Sequence, residues 1–272
     1  MDGHVATCAP RPRSAVHTTP NRKFIVKTVT KAEQRALIRI SRDYLAHCEE
    51  HPETLVQYLG CHSIRLPLNT SKIYVVVMRN ILPGRQYRAT FDLKGATANR
   101  QRARGKELEA LVSGQAPLSA FKTLLDKDWM ALGIRLKLSD EHTRRLQRVI
   151  AADADFLASK QLMDYSLLLG IAGASADGTA PQGALLRGAE GEVYYLGLID
   201  ILETWRARWH VQNLVLRFFF RYVVCMQWYN PDGITAIPPG EYAARFQEFT
   251  RDQLLRLPGG GEAVGKSWQP WW

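Results

Sequence analysis

Two apolar runs of strand length, Ser166 to Ile171 and Val193 to Ile199, constrain this chain more than any other feature. A span rich in Gly, Ala, Ser and Pro, Ala172 to Glu192, separates them. Continuous apolar runs bounded by turn formers read as buried strands, so the pair predicts a β-hairpin with the span as its spacer. Antiparallel pairing sets the start of one strand beside the end of the other. Asp164 stands just before the first run and Asp200 just after the second, so the hairpin brings two carboxylates to one open end. Two readings stay open there. Either each acid merely terminates its strand, or the pair holds a divalent metal and handles a proton.

Upstream, residues 1–20 mix Pro, Ser, Thr and Arg without periodicity and are expected to be a loose arm or a truncated piece of something larger. RKFIVKTV, from Arg22 to Val29, reads as a strand in which Lys27 shares a face with Ile25 and Val29. A lysine among aliphatics is either an edge-strand residue snorkelling to water or a fixed ammonium reaching a phosphate. Thr30 suits the N-cap of a helix from Lys31 to about His47, with Ala36, Leu37, Ile40, Tyr44 and Leu45 on one face. Glu33 complements the positive end of that helix or pairs with Lys27. Ile73 to Met78 reads as a buried strand.

The stretch FDLKGATANRQRARGK, from Phe91 to Lys106, passes from a short strand to glycine, small residues and bases. Gly95 lets backbone approach an anion, and Lys94, Arg100, Arg102, Arg104 and Lys106 make the local field positive. Arg102 to Lys106 reads as a solvated face, Lys94 as a phosphate contact. Gly105 to Ser119 is expected to be a mobile connection. Ser139 caps a further helix whose apolar face holds Leu146, Val149, Ile150, Phe156 and Leu157. Asp153 falls in the middle of that face, so the helix is expected to end or bend there. Trp205 to Tyr222 reads as a basic amphipathic segment or a core helix with snorkelling arginines, and a closing helix follows a turn at Pro231 to Gly233.

A net charge of +10 over 272 residues favours a polyanionic partner: nucleic acid, an anionic membrane or a phosphorylated ligand. The chain carries no aromatic-basic nucleic-acid module, which argues against the first. Cys8, Cys48, Cys61 and Cys225 are scattered without metal-site spacing, so free thiols in a reducing cytoplasmic setting are expected. The apolar run Leu214 to Trp228 is short for a membrane span and contains Arg217 and Arg221, so any membrane contact is expected to be peripheral.

Together these segments resemble the phosphatidylinositol phosphate kinase family. The resemblance is carried by FIVKTV (24–29), HPETLVQYLGCHSI (51–64), YVVVMRN (74–80), FDLKGATANR (91–100), LMDYSLLLGI (162–171) and LGLIDIL (196–202), with GITAIPPGEYAARF (233–246) beyond them. It implies an α+β, two-lobed protein-kinase-like fold, with an arm over 1–20, an N-terminal lobe over 21–81, a C-terminal lobe over 82–257 and a tail over 258–272. It implies phosphoryl transfer from ATP, with Mg²⁺, to an inositol hydroxyl of a phosphoinositide lipid in a membrane. By the same resemblance Lys27 contacts ATP phosphates and Lys94 meets transferred or nucleotide phosphate. Asp164 is the catalytic-loop acid and Asp200 the magnesium ligand.

Three positions depart from the family pattern. No glycine lies between Cys8 and Pro20, where the family has a glycine-rich loop, so a phosphoinositide-binding pseudokinase is the alternative reading. Ala96 replaces the usual Ser after DLKG. Trp209, His210 and Gln212 stand where a paired-lysine and glutamate signature is usual, leaving Arg206, Arg208 and Trp209 as the expected lipid contacts.

Overall fold

The computed structural model of the chain describes residues 15–65, 72–83, 86–173, 184–188, 191–205 and 237–255. The architecture is α+β. A first antiparallel sheet holds β1 (Val16–Thr18), β2 (Phe24–Val29), β3 (Tyr58–Arg65) and β4 (Lys72–Arg79), in the order β1-β2-β4-β3. β2, which carries Lys27, is therefore flanked on both sides, and the edge-strand reading of that lysine fails. Of the stretch 1–20, expected to be a loose arm or a truncated piece, residues 15–20 are described, and Val16–Thr18 pair with β2. Thr19 and Asn21 build a turn, with Lys23 N donating to Asn21 Oδ1 at 3.1 Å and Phe24 N to Thr19 Oγ1 at 3.2 Å. That turn folds β1 onto β2 in the register Val16↔Lys27.

Helix α1 (Lys31–Glu50) starts where Thr30 predicts it. Thr30 Oγ1 accepts from Glu33 N at 3.2 Å and Glu33 Oε2 accepts from Thr30 N at 2.6 Å, a reciprocal capping box. Ala36, Leu37, Ile40 and Tyr44 are buried, whereas Leu45, expected on that face, is 56% exposed.

The second sheet contains the predicted hairpin. β5 (Ala89–Leu93), β7 (Ser166–Ala172), β8 (Ala184–Arg187) and β9 (Val193–Ile199) lie in the order β5-β7-β9-β8. β7 and β9 pair antiparallel from Ser166↔Ile199 to Ala172↔Val193. The span between them is not only a spacer, because β8 lies within it and pairs with β9. Nor is the end of the hairpin open. β6 (Leu162–Met163) and β10 (Glu203–Thr204) form a second short ladder that closes it beyond both aspartates.

Residues 54–56 join the two sheets. Leu198 N donates to Thr54 O at 2.7 Å and Val56 N to Leu198 O at 2.9 Å, a parallel bridge onto β9. One apolar cluster runs from α1 and β4 through Leu198 to the far helices.

Those helices are α2 (Lys106–Val112), α3 (Asp126–Leu132), α4 (Asp140–Ser159) and α5 (Pro239–Phe249). α2 occupies part of the stretch expected to be a mobile connection. α4 is capped by Ser139, which accepts from His142 N, and it runs unbroken through Asp153. The break expected at Asp153 is absent because this carboxyl is buried with polar partners: His47 Nε2 at 2.6 Å and the hydroxyl of Thr54. Among the described residues, no helix is long and apolar enough to cross a membrane.

Candidate active site

Asp164 sits between β6 and β7, and Asp200 between β9 and the turn that leads to β10. Both are left-handed, with φ of 62° and 60°. L residues seldom adopt that region, but Asp tolerates it because its short polar side chain bonds locally. The two aspartates thus occupy matching kinks where one two-stranded ladder passes into the next.

Each kink is held from outside. Lys94, just after β5, donates its Nζ to Asp164 Oδ1 and to the Asp164 main-chain carbonyl, both at 2.7 Å. Tyr242 of α5 donates its hydroxyl to Tyr165 O, and the two rings pack edge to face at 4.7 Å. Lys27 Nζ reaches Asp200 Oδ1 at 2.5 Å. The bland reading of both acids as strand terminators therefore gives way to two lysine–aspartate pairs.

The two pairs line one cleft of about 120 Å³ with Glu33, Tyr58, Val76, Leu202 and Glu203 among its walls. Among the described residues, two ammoniums and four carboxylates line it, a local excess of negative charge. A bare polyphosphate is disfavoured by that balance, and a polyphosphate accompanied by a divalent cation suits it. The donors are hard oxygens, the type Mg²⁺ prefers, and Mg²⁺ is usually held by one or two carboxylates plus substrate phosphates. Among the described residues, no group of three His, Cys, Asp or Glu gathers into an all-protein metal cage. Burial pushes the Tyr58 phenol far above its ordinary value, and Asp200 and Glu33 push the same way, so it lines the cleft as a neutral hydroxyl.

The loop that presents Lys94 depends on residues the sequence reading did not single out. Asp126 Oδ1 accepts from Lys94 N at 2.8 Å and Ala96 N at 3.2 Å, while its Oδ2 accepts from Arg100 Nε at 2.7 Å. Arg100 also donates to Asp92 Oδ1 at 2.7 Å. Burial pushes the Asp126 carboxyl up, and Arg100 and the two amides oppose that push. Asp128 accepts from the amides of Arg102, Ala103 and Leu125. The available signal was Asp-Lys-Asp opening a helix, two acids in the first turn of α3.

Two expectations about this loop change. Arg100 is neutralised by Asp92 and Asp126 and adds little to the positive field. Gly95, at φ 63°, is closely approached by α5: an added Cβ would meet Phe249 Cβ at 3.0 Å and Arg245 O at 3.4 Å. Ala96, the departure from the family serine, is buried. Arg102, Arg104 and Lys106 are exposed, as a solvated face requires.

The family model described as Phosphatidylinositol-4-phosphate 5-Kinase matches residues 10–184 and 174–253. The chain belongs to this kinase family. It is 36% identical over 151 residues to phosphatidylinositol 4-phosphate 5-kinase its3 of Schizosaccharomyces pombe, covering 55% of this chain and 19% of that protein. It is 33% identical over 159 residues to phosphatidylinositol 5-phosphate 4-kinase type-2 alpha of Sus scrofa, covering 57% and 36%. A phosphatidylinositol 4-phosphate 5-kinase of Plasmodium falciparum is 25% identical over 277 residues, covering 89% and 15%. These matches take in 15% to 36% of each relative's length. Members similar to this chain carry names for two different ring positions, so membership alone does not choose one.

The expected lipid contacts Arg206, Arg208 and Trp209 lie outside the described residues, as do His210, Gln212, the run Leu214 to Trp228, Cys8 and Cys225. Cys48 and Cys61 are free thiols, as expected.

Proposed function

We propose that this chain is the catalytic core of a lipid kinase that transfers the γ-phosphate of ATP to an inositol hydroxyl of a phosphatidylinositol monophosphate. The observation that carries this reading is the pair of contacts in one cleft, Lys27 to Asp200 and Lys94 to Asp164. Phosphoryl transfer asks for positioned cations and an oriented nucleophile more than for covalent help. Both are within reach of that cleft. In this reading 21–81 and 82–257 are the two lobes of a protein-kinase-like fold with the nucleotide between them.

Lys27 binds the ATP phosphates from β2. Asp164, one-third exposed, accepts the proton of the attacking hydroxyl. Lys94 fixes the orientation of Asp164 and offers positive charge to the transferred phosphate. Asp200 would hold Mg²⁺, which when bound neutralises charge on the phosphate oxygens. The overall positive charge suits an anionic cytoplasmic membrane face, with peripheral attachment through Arg206, Arg208 and Trp209.

The test is transfer of labelled phosphate from ATP to vesicles containing phosphatidylinositol 4-phosphate or phosphatidylinositol 5-phosphate. Wild type is expected to label one of them, with losses of about 10²-fold or more in Asp164→Asn and Asp200→Asn. Asn keeps the tolerance for the left-handed kink, so these variants remove charge rather than fold. Wild-type transfer no faster than the variants, with vesicle binding intact, would establish the pseudokinase instead.

A further inference from the structure

Asp153 has no role in the chemistry above, yet it is a buried acid with a partner on each carboxyl oxygen. It is fully buried on α4, and both carboxyl oxygens are engaged by residues from other elements. His47 of α1 brings Nε2 to Oδ1 at 2.6 Å, and the Thr54 hydroxyl donates to Oδ2. The His47 ring is itself fixed, stacked on Phe156 at 4.2 Å and 10°. Burying a carboxyl is costly without such partners. Direct catalysis is excluded, because no substrate reaches a group without solvent access.

We infer that Asp153 is a positioning residue that fixes the end of β9, and through it Asp200, against Lys27. The path is short. The Thr54 side chain is held by Asp153, while its carbonyl accepts from Leu198 N at 2.7 Å, and Val56 N donates to Leu198 O at 2.9 Å. Leu198 lies two residues before Asp200 on the same strand. This approach is tight: a Cβ on Gly197 would stand 3.0 Å from Thr54 O and 2.5 Å from Ile81 Cδ1. A side chain there would press on the crossing segment and on Ile81.

The opposite half of the ion pair is referred to the same place. β2 ends at Val29, Thr30 caps α1, and α1 grips residues 54–58 twice on one face. Tyr44 donates its hydroxyl to Val56 O and accepts from Tyr58 N at 3.0 Å, and one turn later His47 meets Asp153. Lys27 is thus tied to the clasp through β2 and α1, Asp200 through Leu198 and Thr54. Polar groups buried in a fully bonded network specify one arrangement, because every alternative leaves a donor or acceptor unmatched.

The inference takes the kinase reading for its consequence in catalysis, but its first readout does not depend on that reading. In the full chain, Lys27 acylation by acetic anhydride is followed by mass spectrometry, with exposed Lys122 as internal reference. Thr54→Val and Asp153→Asn are expected to raise the Lys27 rate about tenfold, and Thr54→Ser, which keeps the hydroxyl, to return it to wild type. In the transfer assay the first two variants are expected to raise the KM for ATP about tenfold, with a smaller fall in kcat. Should Asp153→Asn fail to fold, the near-isosteric Thr54→Val decides alone. Lys27 labelling unchanged in folded Thr54→Val would overturn the inference, whatever the loss in melting temperature. No transfer by wild type would sink the kinase reading and leave the labelling result to judge Asp153.

Discussion

Lys27 and Asp200 meet at 2.5 Å although 173 positions separate them. The contact closes the cleft between the first sheet and the end of the β7–β9 hairpin. Its side chains are 20% and 45% exposed, so solvent screens the pair and its share in stability is small. Lys27→Met is accordingly expected to change unfolding free energy by less than about 1 kcal/mol. Phosphate transfer should fall by about 10² to 10³, the cost of losing one preorganised group at developing charge. Urea unfolding and the vesicle assay check the two halves. A stability loss of several kcal/mol would make Lys27 structural.

The Arg100–Asp126 pair is the reverse case. Asp126 is 1% exposed in its side chain and accepts three hydrogen bonds, from Arg100 and the amides of Lys94 and Ala96. Removing Asp126 leaves Arg100 paired with Asp92 but strips the amides of Lys94 and Ala96 of their acceptor and frees the loop that carries Lys94. Asp126→Ala is expected to cost about 3 to 5 kcal/mol in urea unfolding. A cost under about 1 kcal/mol, typical of a surface pair, would show that the loop is anchored otherwise.

Gly95→Ala tests the seat of the same loop on α5. The left-handed φ of 63° costs an L residue about 1 to 2 kcal/mol, and the new methyl would press Phe249 Cβ at 3.0 Å. A destabilisation of about 1 to 3 kcal/mol is expected, with phosphate transfer reduced because Lys94 shifts relative to Asp164. Unchanged stability would mean that the loop relaxes away from α5.

Local chemistry made part of this structure readable. The hairpin and both its aspartates were legible because continuous apolar runs flanked by acids have few other solutions, and α1 and α4 because Thr30 and Ser139 are good caps. The short ladder β6–β10 was not, since two-residue strands carry no period and form only once the hairpin has placed them. Asp153 showed as an anomaly, an acid on an apolar stripe. Its partners His47 and Thr54 lie 106 and 99 positions away, beyond any local pattern, so a break in the helix was the cheaper local explanation. Arg100 read as a source of positive field for the same reason: Asp126 becomes its neighbour only after α3 packs beside β5.

Cys48 reports on the α1 side of the clasp, because it follows His47 directly. Burial pushes its thiol above the ordinary value of 9.0, against a hydrogen bond to Tyr44 that pulls the other way. Thiolate is the reactive form, so Cys48 is expected to react with a thiol reagent at pH 8 at least about tenfold more slowly in native protein than in urea. The linked effect on stability has a definite sign. A folded-state value above the unfolded one contributes stability below pH 9.0 that is lost as pH rises through the folded value. Unfolding free energy should therefore decline above pH 9.0, and Cys48→Ala should flatten that decline. In Thr54→Val the native labelling of Cys48 should rise toward the urea rate if α1 loosens from residues 54–58. Native Cys48 reacting as fast as the unfolded thiol would mean that α1 already opens at that turn in the wild type.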